Sequence, residues 1–474
     1  MSELVRIRVP SHAALLVAAP VGDGADVDHG AATVYLETFG CQMNVADSAL
    51  IAGQLQSAGY RRVDDPSLAD VILVNTCAIR EKAEDRVWGR TSQLLSHRAT
   101  NPNLVIGITG CMAEHLREKV AERAPHIRLI AGPDSYRQIA SMVARARAGE
   151  QVVDVALDKA EVYEGLDGVP DDDGVSGQVT IQRGCDKFCS FCVVPFTRGR
   201  ERAVPPREVM RAVRSLVARG YREVTLLGQT VNSYRHEDVD FAALLRAVAQ
   251  IDGLARIRFT SPYPRDVSPE LIAAMTELPQ VMPQLHLPVQ AGSNGVLERM
   301  RRGYTREDYL GIVDRVRNAI PDVALSTDLM VGFCGETDED HAQTLALMRE
   351  VHFAQAFMFR YSDRGITQAA RRLTDDVPET VKAARLQEVI ALQEQHTRAA
   401  HAAQVGRQVE VLACGLSKRN DKLVGRSPHS FNMLLPRDCG TPGQLIDVLV
   451  TASTGHSLVA EPVAVREAVA MDPR

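Results

Sequence analysis

Three cysteines stand close together in the string Thr180–Arg202 (TIQRGCDKFCSFCVVPFTRGRER): Cys185, Cys189 and Cys192, spaced C-x3-C-x2-C. Thiolates this close, in a chain without a secretory disulfide pattern, bind a metal ion or an iron–sulfur cluster. A structural zinc site brings four ligands, often as two C-x2-C pairs. No fourth ligand stands nearby, and Cys334 is far along the chain. Three thiolates on a cube-shaped [4Fe–4S] cluster leave one iron open to a small molecule. Phe191, directly before the last cysteine, supplies an apolar shield for such a cluster. A zinc loop and three unrelated thiols are the alternatives, and the spacing disfavours both.

The elements that must hold such chemistry follow from hydrophobic periodicity. The first strand is expected over Thr33–Thr38, ending in FGCQMN with Cys41 in the loop, and a helix over Val45–Ala58. Strands over Asp70–Asn75 and Leu104–Thr109 are followed by Cys77 and Cys111. Helices are expected over Arg80–His97 and Glu114–Arg123, then a strand over His126–Ile130 and a helix after Pro133. Strand–helix alternation predicts a parallel sheet with helices on both faces. Ligand sites in such sheets lie beyond the carboxyl ends of the strands. The separations of 36 residues from Cys41 to Cys77 and 34 from Cys77 to Cys111 each match one strand–helix repeat. The three cysteines should therefore leave the same sheet edge and form a second three-thiolate site. Buried cysteines acting as small hydrophobes are the alternative.

Residues 149–178 lack a strong period and read as a linker, most clearly in the acidic, glycine-rich run Asp167–Gly177. The alternation then resumes, with strands near Val179–Gln182, Glu223–Leu227, Arg256–Thr260, Gln284–Leu287, Ala324–Met330 and Ala356–Tyr361. Helices start near Pro206, Phe241, Ser268, Asn294, Arg306 and Asp338. Six β/α units fit a partial barrel, with chemistry at the carboxyl-terminal strand ends. The cysteine triplet follows the first of these strands. Polar residues follow the others: Gln229 and Asn232, then His286, Gln290 and Ser293, then Asp328 and Glu336, and Arg360. For each, a turn or a supporting hydrogen bond is the alternative, and His286, before Leu-Pro-Val, reads as structural. A helix over Pro378–Ala403, with Leu386, Ile390 and Leu392 on one face, closes this region. The tail has short strands separated by Gly, Pro, Asn and Asp turns, which predicts a small β-barrel. Arg407, Lys418, Arg419, Lys422 and Arg426 give it a basic face suited to RNA phosphates, a solvated surface being the plainer reading.

The C-x3-C-x2-C triplet with an aromatic before the last cysteine resembles the radical S-adenosylmethionine (SAM) superfamily. The longer string GCDKFCSFCVVPFTRGRER resembles the methylthiotransferase family within it, and the likeness runs from about Val34 to about Val465. FGCQMN, NTCAIREKA and TGCMAE resemble that family's three auxiliary-cluster motifs, and the tail resembles its TRAM module. The resemblance implies an α/β chain with an N-terminal Rossmann-like parallel sheet domain, a central partial (β/α)6 radical SAM barrel and a C-terminal small β-barrel. The expected division is 1–30 as a disordered leader, 31–148 as the methylthiotransferase domain, 149–178 as linker, 179–404 as the radical SAM domain and 405–467 as the TRAM domain. Cys185, Cys189 and Cys192 would hold one [4Fe–4S] cluster with SAM on its open iron; Cys41, Cys77 and Cys111 would hold the other. No protein acid or base is expected to be catalytic. Gln229, Asn232, Ser293 and Asp328 are the candidate SAM contacts.

The implied reaction uses one SAM to methylate a sulfur and another to generate a 5′-deoxyadenosyl radical, placing C–S–CH3 on the substrate. FGCQMN and NTCAIREKAEDRVWGR favour the branch acting on carbon 2 of N6-isopentenyladenosine at position 37, next to the anticodon of tRNA. Branches acting on threonylcarbamoyl-adenosine or on a ribosomal protein remain open, as does a non-catalytic iron–sulfur RNA-binding protein. The sequence departs from the family pattern at Thr230, Tyr263, Cys334 and the stretch Asp363–Gln368. These changes leave all six cysteines in place and bear on substrate fit.

The bulk composition is that of an ordinary globular chain: 474 residues, 45% hydrophobic, 24% charged, net charge −6. That charge gives no global nucleic-acid signature, so RNA contacts must be local. Nine cysteines do not form a secreted framework, and no apolar run reaches membrane-spanning length. A cytoplasmic monomer is expected. Its partners would be tRNA, an electron donor such as flavodoxin or ferredoxin, and the iron–sulfur assembly machinery. Cys334, Cys414 and Cys439 are expected to be free thiols.

Overall fold

The structure, a computed structural model, describes residues 31–77, 81–170, 173–417 and 421–465. The expected leader over 1–30, two of the five basic tail residues (Lys418 and Arg419) and the tail beyond 465 lie outside these residues.

The first region is a six-stranded, wholly parallel sheet. Its spatial order is Arg61–Arg62, Thr33–Phe39, Val71–Thr76, Val105–Gly110, Ile127–Ala131 and Val152–Asp154. The two central strands, VILVNT and VIGITG, are buried at every position. Helices cover both faces, which is why these strands are continuously apolar rather than alternating. The edge strands Arg61–Arg62 and Val152–Asp154 were not expected; each is two or three residues long, too short to show a period. The helix expected over Glu114–Arg123 is two short helices, Cys111–Leu116 and Glu118–Arg123, because Arg117 adopts φ +50° between them.

Residues 155–170 are a strap rather than a loose tether. Tyr163 is buried, stacks on Tyr136 at 5.7 Å and donates its hydroxyl to the Pro133 carbonyl at 2.6 Å. Val169 N–H donates to the Ala49 carbonyl at 2.9 Å, pinning the strap across the helix Gln42–Ser57. The next strand, Ser176–Thr180, starts inside the expected linker.

The second region holds six parallel strands in chain order. Ser176–Thr180, Glu223–Leu227 and Arg256–Phe259 pair as one half; Gln284–His286, Ala324–Val331 and Gln355–Arg360 pair as the other. A parallel bridge between Ile257 and Val281 joins the halves into an open barrel wall. The intervening helices begin at Pro206, Phe241, Pro269, Asn294, Arg306 and Asp338. Thr305 and Thr337 each cap their helix in a reciprocal box with an aspartate three residues on. The helix Glu379–Ala402 packs against the last strand. Of the apolar face expected from spacing, Leu386 and Leu392 pack half-buried against the core, while the most buried positions are Val389 together with Lys382, Arg385 and Gln393. Those polar heads are paired: Lys382 with Asp375, Arg385 with Glu336 and Asp338, and Gln393 with the Phe353 carbonyl.

The third region is a closed five-stranded barrel in the order Gln408–Leu416, Leu423–Arg426, Asn432–Leu435, Leu458–Val465 and Leu445–Ser453. It encloses its own core, including Val411, Leu423, Met433, Ile446 and Val448. Among the described residues no helix is long and apolar enough to cross a membrane.

Candidate functional site: two cysteine triplets across one domain boundary

The strands that carry Cys41, Cys77 and Cys111 are immediate neighbours, and their ends are level. Phe39 pairs with Thr76, and Thr76 with Gly110. Neighbouring strands lie ~5 Å apart, so three strands spread their cysteines over ~10 Å of one edge. Side-chain amides lock that edge. Asn44 Nδ2 donates to Asn75 Oδ1 at 3.0 Å and to the Thr76 carbonyl at 3.1 Å; Asn75 Nδ2 donates to the Asn44 carbonyl at 2.8 Å and to Ser48 Oγ at 2.9 Å. Gly110 turns the chain into Cys111 at φ +93°, where a Cβ would lie 2.4 Å from Asn75 Oδ1 and 2.6 Å from the Thr76 carbonyl. Only glycine lets these strand ends close. A hydrogen bond with Cys77, with help from Arg198, draws the Cys41 thiol down to about 6 despite its desolvation, whereas burial raises that of Cys111.

The second triplet lies on the loop after Ser176–Thr180. A two-residue ladder, Gln182–Arg183 against Arg202–Ala203, closes the loop at its base. Gly184 enters at φ +75°, and a Cβ there would meet the Arg200 carbonyl at 2.0 Å. Inside, Cys185 N–H donates to the Gly199 carbonyl at 3.2 Å and Cys192 N–H to the Cys189 carbonyl at 3.0 Å. Ser190 Oγ donates to the Arg299 carbonyl at 2.7 Å. Phe191 is half-buried and meets Phe333 edge-on at 6.4 Å, consistent with an apolar wall. Burial pushes the thiols up, Cys185 to about 11 and Cys192 to about 12, and the neighbouring thiols add to the effect.

Each triplet is served by one buried arginine that the sequence reading did not single out. Arg302 donates to Cys189 Sγ at 3.3 Å, to Tyr304 Oη at 2.9 Å and to the Pro288 carbonyl at 2.7 Å, and its guanidinium lies 5.0 Å from the Tyr263 ring centre. Arg198 donates to Cys111 Sγ at 3.1 Å and to Asp47 Oδ2 at 2.8 Å. The other Asp47 oxygen accepts from Arg183 Nη2 at 2.7 Å. Arg183 and Arg198 belong to the cysteine loop of the barrel; Asp47, on the helix Gln42–Ser57, and Cys111, at the start of the helix Cys111–Leu116, belong to the first domain. The two triplets are therefore joined across the domain boundary by a buried ionic contact.

The donor chemistry fits two iron–sulfur clusters. Each set supplies three sulfurs; Cys77, Cys111, Cys185 and Cys189 are buried, Cys192 is half-buried and Cys41 is exposed. Among the described residues, no three His, Cys, Asp or Glu side chains are grouped so as to hold a metal ion directly. Three thiolates leave one iron of a [4Fe–4S] cluster open, whereas a structural zinc site takes four ligands.

The candidate SAM contacts differ in what they have left to offer. Gln229 Oε1 is buried and without a hydrogen-bond partner. Asp328 lies 3.4 Å from His286 Nε2, and His286 Nδ1 lies 3.0 Å from Ser326 Oγ. Asn232 is already engaged at both ends by the Tyr263 backbone, at 2.9 and 2.7 Å, although it lines a cleft of about 480 Å³ with Asp186, Lys187 and Asp266. Ser293 caps the helix Asn294–Arg299 and donates to Asp340. Asn232 and Ser293 thus have structural roles that spacing alone could not reveal. Arg360 pairs with Glu379, and Glu336 accepts from the Gly332 amide and from Arg385.

Among the candidate RNA contacts, Arg426 needs correction. It faces the central barrel, where Nη1 donates to buried Glu223 at 3.2 Å. Beside it, Arg258 and Arg256 reach from the barrel strands to the Ser427, Pro428, Arg426 and Glu410 carbonyls. This end of the small barrel is a docking surface, so Arg426 is not available to phosphate. Arg407 is exposed and Lys422 partly so.

Residues 179–348 match the Radical SAM superfamily, and residues 33–132 match Uncharacterized protein family UPF0004. A tRNA-2-methylthio-N(6)-dimethylallyladenosine synthase of Pelodictyon phaeoclathratiforme is 46% identical over 437 residues, 92% of this chain and 99% of the relative. The synthases of Porphyromonas gingivalis and Acidothermus cellulolyticus are 44% and 43% identical, each over 91% of this chain and over 95% and 88% of their own lengths. The chain belongs to this synthase family. A solved structure of the radical SAM methyltransferase TsrM from Kitasatospora setae, with cobalamin and a [4Fe–4S] cluster bound, superposes with a TM-score of 0.54. It is 14% identical and covers 71% of this chain and 77% of its own, a likeness of fold alone. The family's departures at Tyr263 and Cys334 are both buried, and Thr230 receives a hydrogen bond from Gln182 at 3.3 Å. In the divergent Asp363–Gln368 stretch, Thr367 caps the helix Gln368–Arg372. The Ala369 amide beyond it donates to the Ser190 carbonyl of the cysteine loop at 2.7 Å.

Proposed function

We propose that this chain methylthiolates carbon 2 of N6-isopentenyladenosine at position 37, next to the anticodon of tRNA, consuming two SAM. The observation that carries the proposal is the second cysteine set. Its three strand ends are level, and it is docked against the loop of the radical SAM triplet in a chain over 40% identical to named synthases. In this reading Cys41, Cys77 and Cys111 hold the auxiliary cluster, and Cys185, Cys189 and Cys192 hold the SAM-binding one. Residues 31–148, 179–404 and 405–467 act as sulfur-carrying, radical and RNA-binding domains, with 149–178, which contains the strap, as the linker between the first two.

When bound, the clusters supply the electron that cleaves SAM and the exchangeable sulfur that is transferred. The chain's own residues orient and seclude. Arg302 and Arg198 fix one sulfur of each triplet by charge-assisted hydrogen bonds. Phe191 and Phe333 keep water from the barrel triplet, where a radical would be quenched. Gln229 offers an unused carbonyl and Asp328 a carboxylate to the cationic groups of SAM. Exposed Arg407 and partly exposed Lys422 offer phosphate contacts. We further assign the protein to the cytoplasm, with flavodoxin or ferredoxin as reductant and the iron–sulfur assembly machinery as loading partner.

Alanine variants separate the two halves. Cys189→Ala should abolish 5′-deoxyadenosine formation from SAM under reducing anaerobic conditions. Cys77→Ala should retain it and yield no methylthiolated nucleoside. Methylthiolated product from Cys77→Ala would overturn the auxiliary assignment.

A further inference from the structure

Arg198 stands six residues beyond Cys192, at the end of the short helix Val194–Thr197. Its head lies in the other domain and is 3% exposed. Around it the buried charges, those of the cysteine ligands apart, do not balance. Arg183 and Arg198 bring two positive charges, Asp47 brings one negative charge, and all three side chains are at most 4% exposed. An uncompensated buried cation is costly, so such a site calls for another anion. One guanidinium nitrogen, Arg198 Nη1, is buried without a partner, and the adjacent Nε already donates to Cys111 Sγ at 3.1 Å. The group that restores balance at this place is a negatively charged, thiolate-ligated cluster on Cys41, Cys77 and Cys111.

We propose that Arg198 is a positioning residue that raises the reduction potential of the auxiliary cluster, and that it can do so only while the two domains are docked. The proposal rests on the two-cluster reading above. An N–H donor and a positive charge at a ligating sulfur stabilise the more negative, reduced cluster, so they raise its potential. Asp47 accepts from Arg198 Nη2 with one oxygen while Nε points at Cys111 Sγ, so the rigid guanidinium plane fixes the direction of the donor. Because the arginine belongs to the loop of the other triplet, domain separation would withdraw the hydrogen bond and lower the potential. The electron affinity of the sulfur carrier is thereby linked to its presentation at the barrel.

The test uses the full chain carrying Cys185→Ala, Cys189→Ala and Cys192→Ala, so that only the auxiliary site loads iron. The midpoint potential is read by redox titration followed by electron paramagnetic resonance, without SAM or tRNA. Arg198→Met keeps the length of the side chain and removes its charge and donors. Its midpoint should fall by about 59 mV or more, a tenfold change in the reduced-to-oxidised ratio at fixed potential. Arg198→Lys, which keeps the charge but loses the fork, should fall between Met and parent. A purely structural role would lower thermal stability and leave the midpoint in place; an unchanged midpoint in both variants overturns the proposal. If the Met variant does not load iron, the Lys variant decides alone, a lowered value supporting the proposal and the parental value overturning it. Because no substrate is present, failure to methylthiolate tRNA would leave this result standing. Failure of the parent background to load any cluster would overturn both readings.

Discussion

The seam between the central barrel and the C-terminal barrel is built around one carboxylate, and its contribution can be worked out. Glu223 opens its strand at the end opposite the cysteine loop and is 1% exposed. It accepts from Arg258 at 2.7 Å, Ser176 at 2.9 Å and Arg426 at 3.2 Å. Burial alone would raise its pKa. The two guanidiniums outweigh burial and bring the carboxyl from its ordinary 4.5 to about 2, while burial takes Arg258 down to about 10, still protonated at neutral pH. At 1.36 kcal/mol per tenfold, the lowered Glu223 value corresponds to about 3 kcal/mol. The folded state binds this proton less readily than the unfolded state. The contribution is therefore fully present above pH 4.5 and is lost as pH falls toward about 2.

Glu223→Gln keeps the shape, removes the charge and leaves buried Arg258 and half-buried Arg426 with no carboxylate at this point. Breaking a buried pair in this way costs about 3–5 kcal/mol, in agreement with the titration argument. Hydrogen exchange read by mass spectrometry on peptides covering 408–416 and 423–435 follows the seam without requiring the whole chain to unfold as one unit. At neutral pH, exchange in the variant should be about 300-fold faster than in the parent. Near pH 3, where most of the parental advantage has gone, the ratio should shrink to about tenfold. A ratio near one at neutral pH, or one that does not change with pH, would refute the assignment of Glu223 as the charged centre of the seam.

Other expectations test other parts of the molecule. Asp47→Ala strips the counter-ion from two buried arginines and should weaken domain docking by about 3–5 kcal/mol, read as faster proteolytic cleavage in residues 155–170. Gly184→Ala forces a Cβ toward the Arg200 carbonyl and should empty the barrel triplet of iron, whereas Gly59→Ala, at φ +86° with open space around it, should cost about 1–2 kcal/mol and leave iron content unchanged. Arg407→Ala and Lys422→Ala should each reduce the salt dependence of tRNA binding by about one phosphate contact. Arg426→Ala should leave that slope unchanged and loosen the seam, and a slope change equal to that of Arg407→Ala would restore Arg426 to the RNA face.

The cysteine edge was legible because strand–helix repeats have a nearly fixed length. Separations of 36 and 34 residues can only return the chain to the same side of a parallel sheet, and the observed register places those ends level. The six barrel strands and the small closed barrel were legible for the same reason, each strand being a β-rich run bounded by turn formers. The buried arginines were not. Charge on a single sequence reads as surface, and Arg183, Arg198 and Arg302 are buried only because partners from distant segments meet them. Asn232 and Ser293 show the converse: polar residues at the right strand ends that the backbone had already engaged. The strap over 155–170 failed as a linker reading because its order comes from Tyr163 and Val169 meeting the first domain, and a sequence window does not contain those partners. Arg426 was misjudged because one strand cannot reveal which end of its barrel is docked.

The account stands most directly on one measurement: nucleoside mass spectrometry of tRNA after anaerobic incubation with the reconstituted full chain, SAM and a reductant. Isopentenyladenosine tRNA and threonylcarbamoyl-adenosine tRNA are run in parallel. The account predicts a mass gain of SCH3 minus hydrogen on the isopentenyl nucleoside. A gain only on the threonylcarbamoyl nucleoside, or none on either while 5′-deoxyadenosine still forms, would contradict it.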